Sequence, residues 1–388
     1  MRIRISDATG SVPPDDWNAL LPDSNPFLRH EFLHALETSG CATPETGWQS
    51  CHILCEDDDG KLIGALPLYL KHNSQGEFVF DFAWANAYQQ AGLHYYPKLV
   101  SAVPFTPATG HRLLISPQLT PQAADNVANQ LIKAAIQLAH DNDASSLHVL
   151  FPEPQETKLL AEHELMLRKD CQFHWHNRDY TDFDDFLETF SSSKRKKTKR
   201  ERRRIIESGI QFEVLNGTQL NDAHWEEIIP LYNTTFLRRG RMPYLNKEFF
   251  TTVARSMPDK LVIFLGRQEQ ELVAIAICFR SDDTLYGRYW GASRFIDSLH
   301  FETCYYQGID YCIREGLKCF EPGTQGEHKI SRGFVPTQTL SAHWLSHPQF
   351  SAAVDDYLQR ERIHIDEYMD VVNDRVPYKD LPDNEGQH

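Results

Sequence analysis

The stretch LYGRYWGASRFIDSLHFETCYYQGIDYCIREGLKCFEPGTQGEHKISRGF, residues Leu285–Phe334, decides the fold. Leu285–Ala292 is rich in aromatic residues and ends on Gly291, the pattern of a strand running into a turn. Leu299–Arg314 reads as a helix, because Phe301, Tyr305, Ile309 and Cys312 recur at spacings of four, four and three. Ser298 stands at the N-cap position, and Gly316 stands where a C′ glycine ends a helix. Leu317–Phe320 is long enough only for a buried strand. Glu321–Arg332 then gathers Glu, Pro, Gly, Gln, His, Lys, Ser and Arg into one polar loop. Strand, helix, parallel strand and polar loop make a crossover unit, and open α/β sheets place their ligands at the carboxyl ends of such strands.

Upstream of that unit the periodicity gives helices over Phe183–Phe190, Lys194–Ser208, Trp225–Arg239 and Asn246–Met257. Strands follow at Ile210–Leu215, Leu261–Leu265 and Leu272–Arg280, the last two joined by the polar turn Gly266–Glu271. The first half has a similar plan. A helical entry around Pro26–Leu36 stops at Gly40, and strands are predicted at Cys51–Cys55, Leu62–Leu70 and Glu77–Ala83. A helix over Ala123–Asp141 and a strand over Leu147–Phe151 complete it. The recurrence of element order suggests two duplicated domains. We place them at residues 1–165 and 166–372, with a linker near His163–Asp179 and a loose tail at 373–388.

The chain has 388 residues, 41% of them hydrophobic, enough for ordinary cores. Its net charge of −15 argues against a general nucleic-acid coat. Lys194–Arg204 is the exception, with nine Lys/Arg and one Glu, so this segment carries +8 and the remainder −23. A helix so charged is either solvated or a phosphate contact, and we weigh tRNA binding as the lesser of the two. No run approaches the ~18 apolar residues of a membrane span, and the N-terminus lacks an apolar signal region, which predicts a cytoplasmic protein. The eight cysteines form no CxxC pair and read as reduced thiols. His174 and His176 have no third ligand at a useful spacing in the sequence, so no metal site is predicted.

Meander, aromatic strand, helix, strand is the order of a GNAT acyltransferase domain, and two in tandem resemble the Fem-type transferases. The similarity rests on KRKKTKRERRRIIESGIQFEV, on YWGAS followed by a helix, on EGLKCFEPG, and on a basic loop ending in Gly333-Phe334. With NPFLRHEFLHALE, FAWANAY, YYPKLVSAVPFTPATG and QGEHKISRGF, the chain resembles the Fem-like predicted N-acyltransferases of bacteria over roughly residues 5–370. The resemblance implies a mixed α/β fold of tandem GNAT-like domains. It also implies transfer of an acyl or aminoacyl group to an amine, on a peptidoglycan precursor or a related small-molecule or peptide substrate. Acyl-CoA and aminoacyl-tRNA both remain open as donors. Ser293–Ser298, SRFIDS, has no glycine to bring backbone amides to a pyrophosphate, and TPATGHR at Thr106–Arg112 offers one. The alternative function is a recognition module of degenerate transferase fold that binds a cell-wall precursor or another partner without chemistry.

Acyl transfer to an amine needs a base and donors for the developing oxyanion. Glu321 and Glu327 are candidate bases, and Lys329, His328 and Arg332 are candidate cationic donors. His328-Lys329 before Gly333-Phe334 resembles the Fem Phe-Lys pair, which implies that Lys329 holds the transferred acyl group. Arg288 and Trp290 share a strand face by alternation. Glu302 and Tyr306, one helical turn apart, read as a buried pair. In the first half Trp84, Asn86, Tyr88, Tyr95, Tyr96 and Lys98 read as the second wall of a substrate cleft or as packing, the two readings being evenly balanced.

Overall fold

The structure is a computed structural model that describes residues 1–324 and 326–379. It divides into two compact units, neither contiguous in sequence. The first comprises Met1–Asp170, Tyr244–Met257 and Gln338–Asp366; the second comprises Cys171–Pro243, Pro258–Thr337 and Glu367 onward.

The second unit is built on the crossover. Strands Ile210–Asn216, Leu261–Gln268, Glu271–Arg280 and Thr284–Ala292 form an antiparallel meander in that spatial order. The chain then runs as helix from Leu299 to Glu315 and returns as strand Cys319–Glu321, parallel to Thr284–Ala292. Gly316 ends the helix in the left-handed region, at φ 68°. That conformation costs glycine little and any other residue roughly 1 kcal/mol or more. Cys319–Glu321 also pairs antiparallel with the end of strand Met166–His176. The expected linker is therefore largely strand, concealed in the sequence by its polar and charged residues.

Two local irregularities shape this unit. Ile277 opposes Tyr289 but Cys278 opposes Gly287, so Arg288 is the extra residue of a β-bulge. Strict alternation does not run through a bulge, and the shared face expected for Arg288 and Trp290 does not follow from spacing there. Second, Glu302–Tyr306 winds as a π-turn inside the helix. Its wider turn breaks the Glu302–Tyr306 pairing expected from α spacing. Tyr306 donates instead to Glu201 at 2.5 Å, while Glu302 accepts from Gln307 at 2.8 Å and Arg202 at 3.3 Å.

Helix Asp222–Leu237 lies directly on the end of strand Thr284–Ala292. A Cβ added at Gly291 would sit 2.0 Å from the carbonyl oxygen of Leu231. Thr235 donates to the Trp290 carbonyl at 2.6 Å in the same contact. Backbone cannot withdraw from a new methyl group as a side chain can. Gly291→Ala should therefore cost about 3 kcal/mol, read as a lower denaturation midpoint in urea. An unchanged midpoint would show that the helix can slide and that the contact is soft.

The first unit has a sheet of strands Arg2–Ser6, His52–Glu56, Leu62–Leu66 and Leu114–Ile115. A second sheet holds Gln49–Ser50, Tyr69–Lys71, Lys98–Ser101, Ser146–Leu150 and the Ser341–Leu345 end of strand Val335–Leu345. Helix Pro121–Asp141 connects to Ser146–Leu150, which runs parallel to Lys98–Ser101. The strand–helix–parallel-strand order thus recurs, but Lys98–Ser101 fills the place assigned to Glu77–Ala83. Phe82–Gln90 is a helix instead, with Trp84 and Tyr88 on its buried side at i,i+4.

Among the described residues no helix is long and apolar enough to cross a membrane. All eight cysteines are free. The expected loose tail is corrected over its described part. Tyr378 is buried, donates to the Gly333 carbonyl and bridges to Phe190. Residues 380–388 of that tail lie outside the described residues.

Candidate active site

Strands Thr284–Ala292 and Cys319–Glu321 pair only at Thr284–Tyr286. Beyond Tyr286 the longer strand has no paired neighbour on that side among the described residues, and the chain after Glu321 turns across it. A Cβ on Gly287 would meet the Pro322 Cα at 3.2 Å, so the turn passes directly over the strand. The loop then forms a 3-10 turn over Glu327–Arg332, and Lys329 reaches back from it to Gly323, where an added Cβ would lie 3.4 Å from the Gly287 carbonyl oxygen.

Lys329 is the unusual group. It is 1% exposed, and its Nζ donates to the Gly323 carbonyl. Among the described residues no carboxylate forms an ion pair with it. Burial without an anion disfavours the ammonium, and its pKa is pushed down to about 7. His328 Nε2 lies 2.7 Å from the Tyr305 hydroxyl, and its ring is 5.8 Å from that of His300. Burial, with Lys329 and Arg332 alongside, holds His328 below the ordinary imidazole value. His300 packs edge-on against Trp290 at 4.7 Å, and burial takes its pKa to about 4. The result is a histidine that is mostly neutral near pH 7 beside a lysine that changes charge near that pH, with Tyr305, His300 and Trp290 packed around the histidine.

Arg332 has a different task from the expected one. Its guanidinium binds Glu201 through two contacts of 2.9 and 3.0 Å, donates to the His328 carbonyl at 2.6 Å, and lies 3.3 Å over the Phe301 ring. Its two terminal nitrogens are taken up by Glu201 and the His328 carbonyl, so it fixes the loop, while its Nε is buried without a hydrogen-bond partner among the described residues. Glu201 is the one acidic residue of the basic segment, and it is buried there for this pairing. Glu327 points outward. Its side chain is 51% exposed and accepts from Tyr368 and Arg375, at 3.1 and 3.0 Å. A carboxylate already held by a tyrosine and an arginine at the surface is poorly placed to serve as the base. Glu321 ends its strand close to His174 and Cys319. Arg288 is half-buried at the bulge, in electrostatic range of Glu321.

The first-unit candidates are corrected as well. Trp84, Tyr88 and Tyr95 are buried together with Leu345, Val354 and Leu358. Lys98 is fully buried and donates to Ser74 at 2.9 Å, Glu77 at 2.8 Å and Asp81. These four side chains are core and ion-cluster groups that a substrate cannot touch. Tyr96 is half-buried with its hydroxyl 2.8 Å from Ser74, and Asn86 is exposed on the outer side of its helix. Sequence reading missed His300, Tyr305 and Cys304 as neighbours of Lys329. An aromatic or His residue at nearly every turn of Leu299–Tyr306 was the available signal.

No curated protein matches the sequence. Solved structures share the fold at low identity. FemX aligns with TM-score 0.53 and 10% identity, covering 92% of this chain and all of its own. The C-terminal domain of a putative lysylphosphatidylglycerol synthetase from Agrobacterium fabrum aligns with TM-score 0.54 and 9% identity, covering 89% of this chain and 95% of its own. L-PGS from Bacillus licheniformis aligns with TM-score 0.50 and 12% identity, covering 87% and 98%. These likenesses give the mixed α/β, Fem-type architecture. Residues 8–380 match the family described as FemAB-like, peptidoglycan biosynthesis/recognition, and with nearly the whole chain spanned the protein belongs to that family.

Proposed function

We propose that the protein is an N-acyltransferase that moves an acyl or aminoacyl group to an amine, with its site at the splayed strands of the second unit. The observation that carries this reading is the buried, carboxylate-free Lys329. An amine held near pKa 7 gains little from a neutral carbonyl. As the carbonyl oxygen becomes negative, the ammonium gains its missing counter-charge. The interaction therefore strengthens toward the transition state, which is what catalysis requires. His328, oriented by Tyr305, is placed to take the proton of the attacking amine. Membership of a family described as peptidoglycan biosynthesis/recognition supports a peptidoglycan-related amine as acceptor. Acyl-CoA and aminoacyl-tRNA are both carried forward as donors, the glycine-free Ser293–Ser298 turn favouring the latter.

The test is transfer of a labelled acyl group from either donor class to amine-bearing muropeptides, followed by mass spectrometry. The expected kcat/KM profile is a bell. It rises as neutral His328 appears, below the usual imidazole range, and falls through about pH 7 as Lys329 loses its proton. His328→Ala should lower turnover about 100-fold with acceptor binding retained. Acceptor binding with no transfer from either donor would overturn the enzyme reading in favour of a recognition module.

A further inference from the structure

Strand pairing assembles donors that are far apart in the chain. Cys319 opposes His176 and Phe320 opposes Trp175 on the antiparallel pair. Side chains alternate, so Cys319 and Glu321 share one face with His174 and His176. Phe320 and Trp175 lie on the other face, buried in the aromatic core. The ligand atoms of His174, Cys319 and Glu321 all lie within 4.8 Å of one another, with His174 buried and the other two half-buried. Gln172 Oε1 is 3.2 Å from His174 Nε2, a contact of the kind that orients a ligating imidazole. His176 Nε2 is buried and has no hydrogen-bond partner.

We propose that His174, Cys319 and Glu321 bind a divalent cation of the zinc class, with water as the fourth ligand. The donor set is one imidazole, one thiolate and one carboxylate, the mixture that suits tetrahedral Zn²⁺ and excludes Mg²⁺ and Ca²⁺. The charges balance. Cys319 gives up its thiol proton to solvent on coordination, and thiolate plus carboxylate neutralise the 2+ ion. The ion clamps the three-residue strand Cys319–Glu321 to Met166–His176, and this is the strand from which the Lys329 loop departs. In this arrangement Glu321 is a ligand, and the proton-accepting role stays with His328. The site is independent of the acyl-transfer reading, because it needs only the two strands.

The experiment is titration of the purified full-length chain with Co²⁺ alone and then Zn²⁺. We expect one Co²⁺ per chain with the absorption of a tetrahedral site and a thiolate charge-transfer band, displaced by one equivalent of Zn²⁺. Cys319→Ser should lose the band, whereas Cys304→Ser should keep it. Glu321→Gln, checked for folding by circular dichroism, should weaken Zn²⁺ at least tenfold in competition with a chelating dye. This variant carries the test if Cys319→Ser does not fold. Substoichiometric binding by the wild type, or a band that survives Cys319→Ser, overturns the proposal and leaves these side chains as a polar cluster beside Arg288.

Discussion

Lys329→Met should raise stability and abolish transfer. Methionine fills the space of the lysine stem without an amine that must be desolvated. The native pKa of about 7 lies well below the ordinary lysine value of 10.5. A base whose folded pKa is depressed is protonated more readily in the unfolded chain. The penalty is therefore complete below about pH 7 and is relieved as pH rises toward the unfolded value. A shift of this size corresponds to about 5 kcal/mol at most. With the Gly323 hydrogen bond lost, we expect a net gain of about 2–4 kcal/mol at pH 6.5. The gain over wild type should shrink markedly by pH 9.5. Denaturant midpoints at the two pH values measure it. Turnover should fall about 100- to 1000-fold, the cost of removing an oxyanion donor. A variant less stable than wild type at both pH values would mean that the lysine is not buried uncompensated. Undiminished turnover would remove it from the site.

Lys98→Met should have the opposite effect on stability. Lys98 stands between Glu77 and Asp81, both buried, with Lys71 3.7 Å from Glu77. Burial opposes its charge, yet the two carboxylates outweigh burial and raise its pKa. Burial likewise works against the Asp81 carboxylate, but Lys98 and then His148 bring it to about 2. Taking out the central cation leaves two buried carboxylates with Lys71 and the Tyr95 hydroxyl, which is 2.6 Å from Asp81. Breaking such a cluster costs about 3–5 kcal/mol, a large part of the stability of an ordinary domain. Replacing Lys98 together with Asp81, as Lys98→Met with Asp81→Asn, leaves Glu77 paired with Lys71 and should recover much of it. The same variant separates packing from substrate binding. A raised KM with unchanged thermal stability would return Lys98 to a substrate wall, and a lowered Tm with unchanged KM per folded molecule keeps it in the core.

The parts of the fold that were legible were those whose signals are local. The crossover helix shows its stripe at Phe301, Tyr305, Ile309 and Cys312, and Gly316 stops it as expected. The polar loop was legible as a loop at a strand end, because chain order alone puts it there. Phe82–Gln90 was misread because large rings at Phe80, Phe82 and Trp84 alternate as in a strand. Only burial of Trp84 and Tyr88, with Phe80 and Phe82 left exposed, reveals the helical period. Arg332 was misassigned because its partner Glu201 lies 131 residues away and appears in sequence as a lone acid in a basic run. The His174, Cys319 and Glu321 grouping was out of reach for the same reason, since it exists only once two distant strands pair.

The non-contiguous first unit has a consequence for biogenesis. Its interior needs Phe249 against Phe32, and Leu345, Val354 and Leu358 around Trp84, Tyr88 and Tyr95. On the ribosome, residues 1–170 emerge with these hydrophobic surfaces uncovered, and they stay so until Phe249 and then Leu345–Leu358 have been made. Loop closure over such separations is slow, and exposed apolar surface is then open to chaperones or to other nascent chains. Expression of a fragment ending near residue 165 would make that interval permanent, leaving a unit without part of its own core.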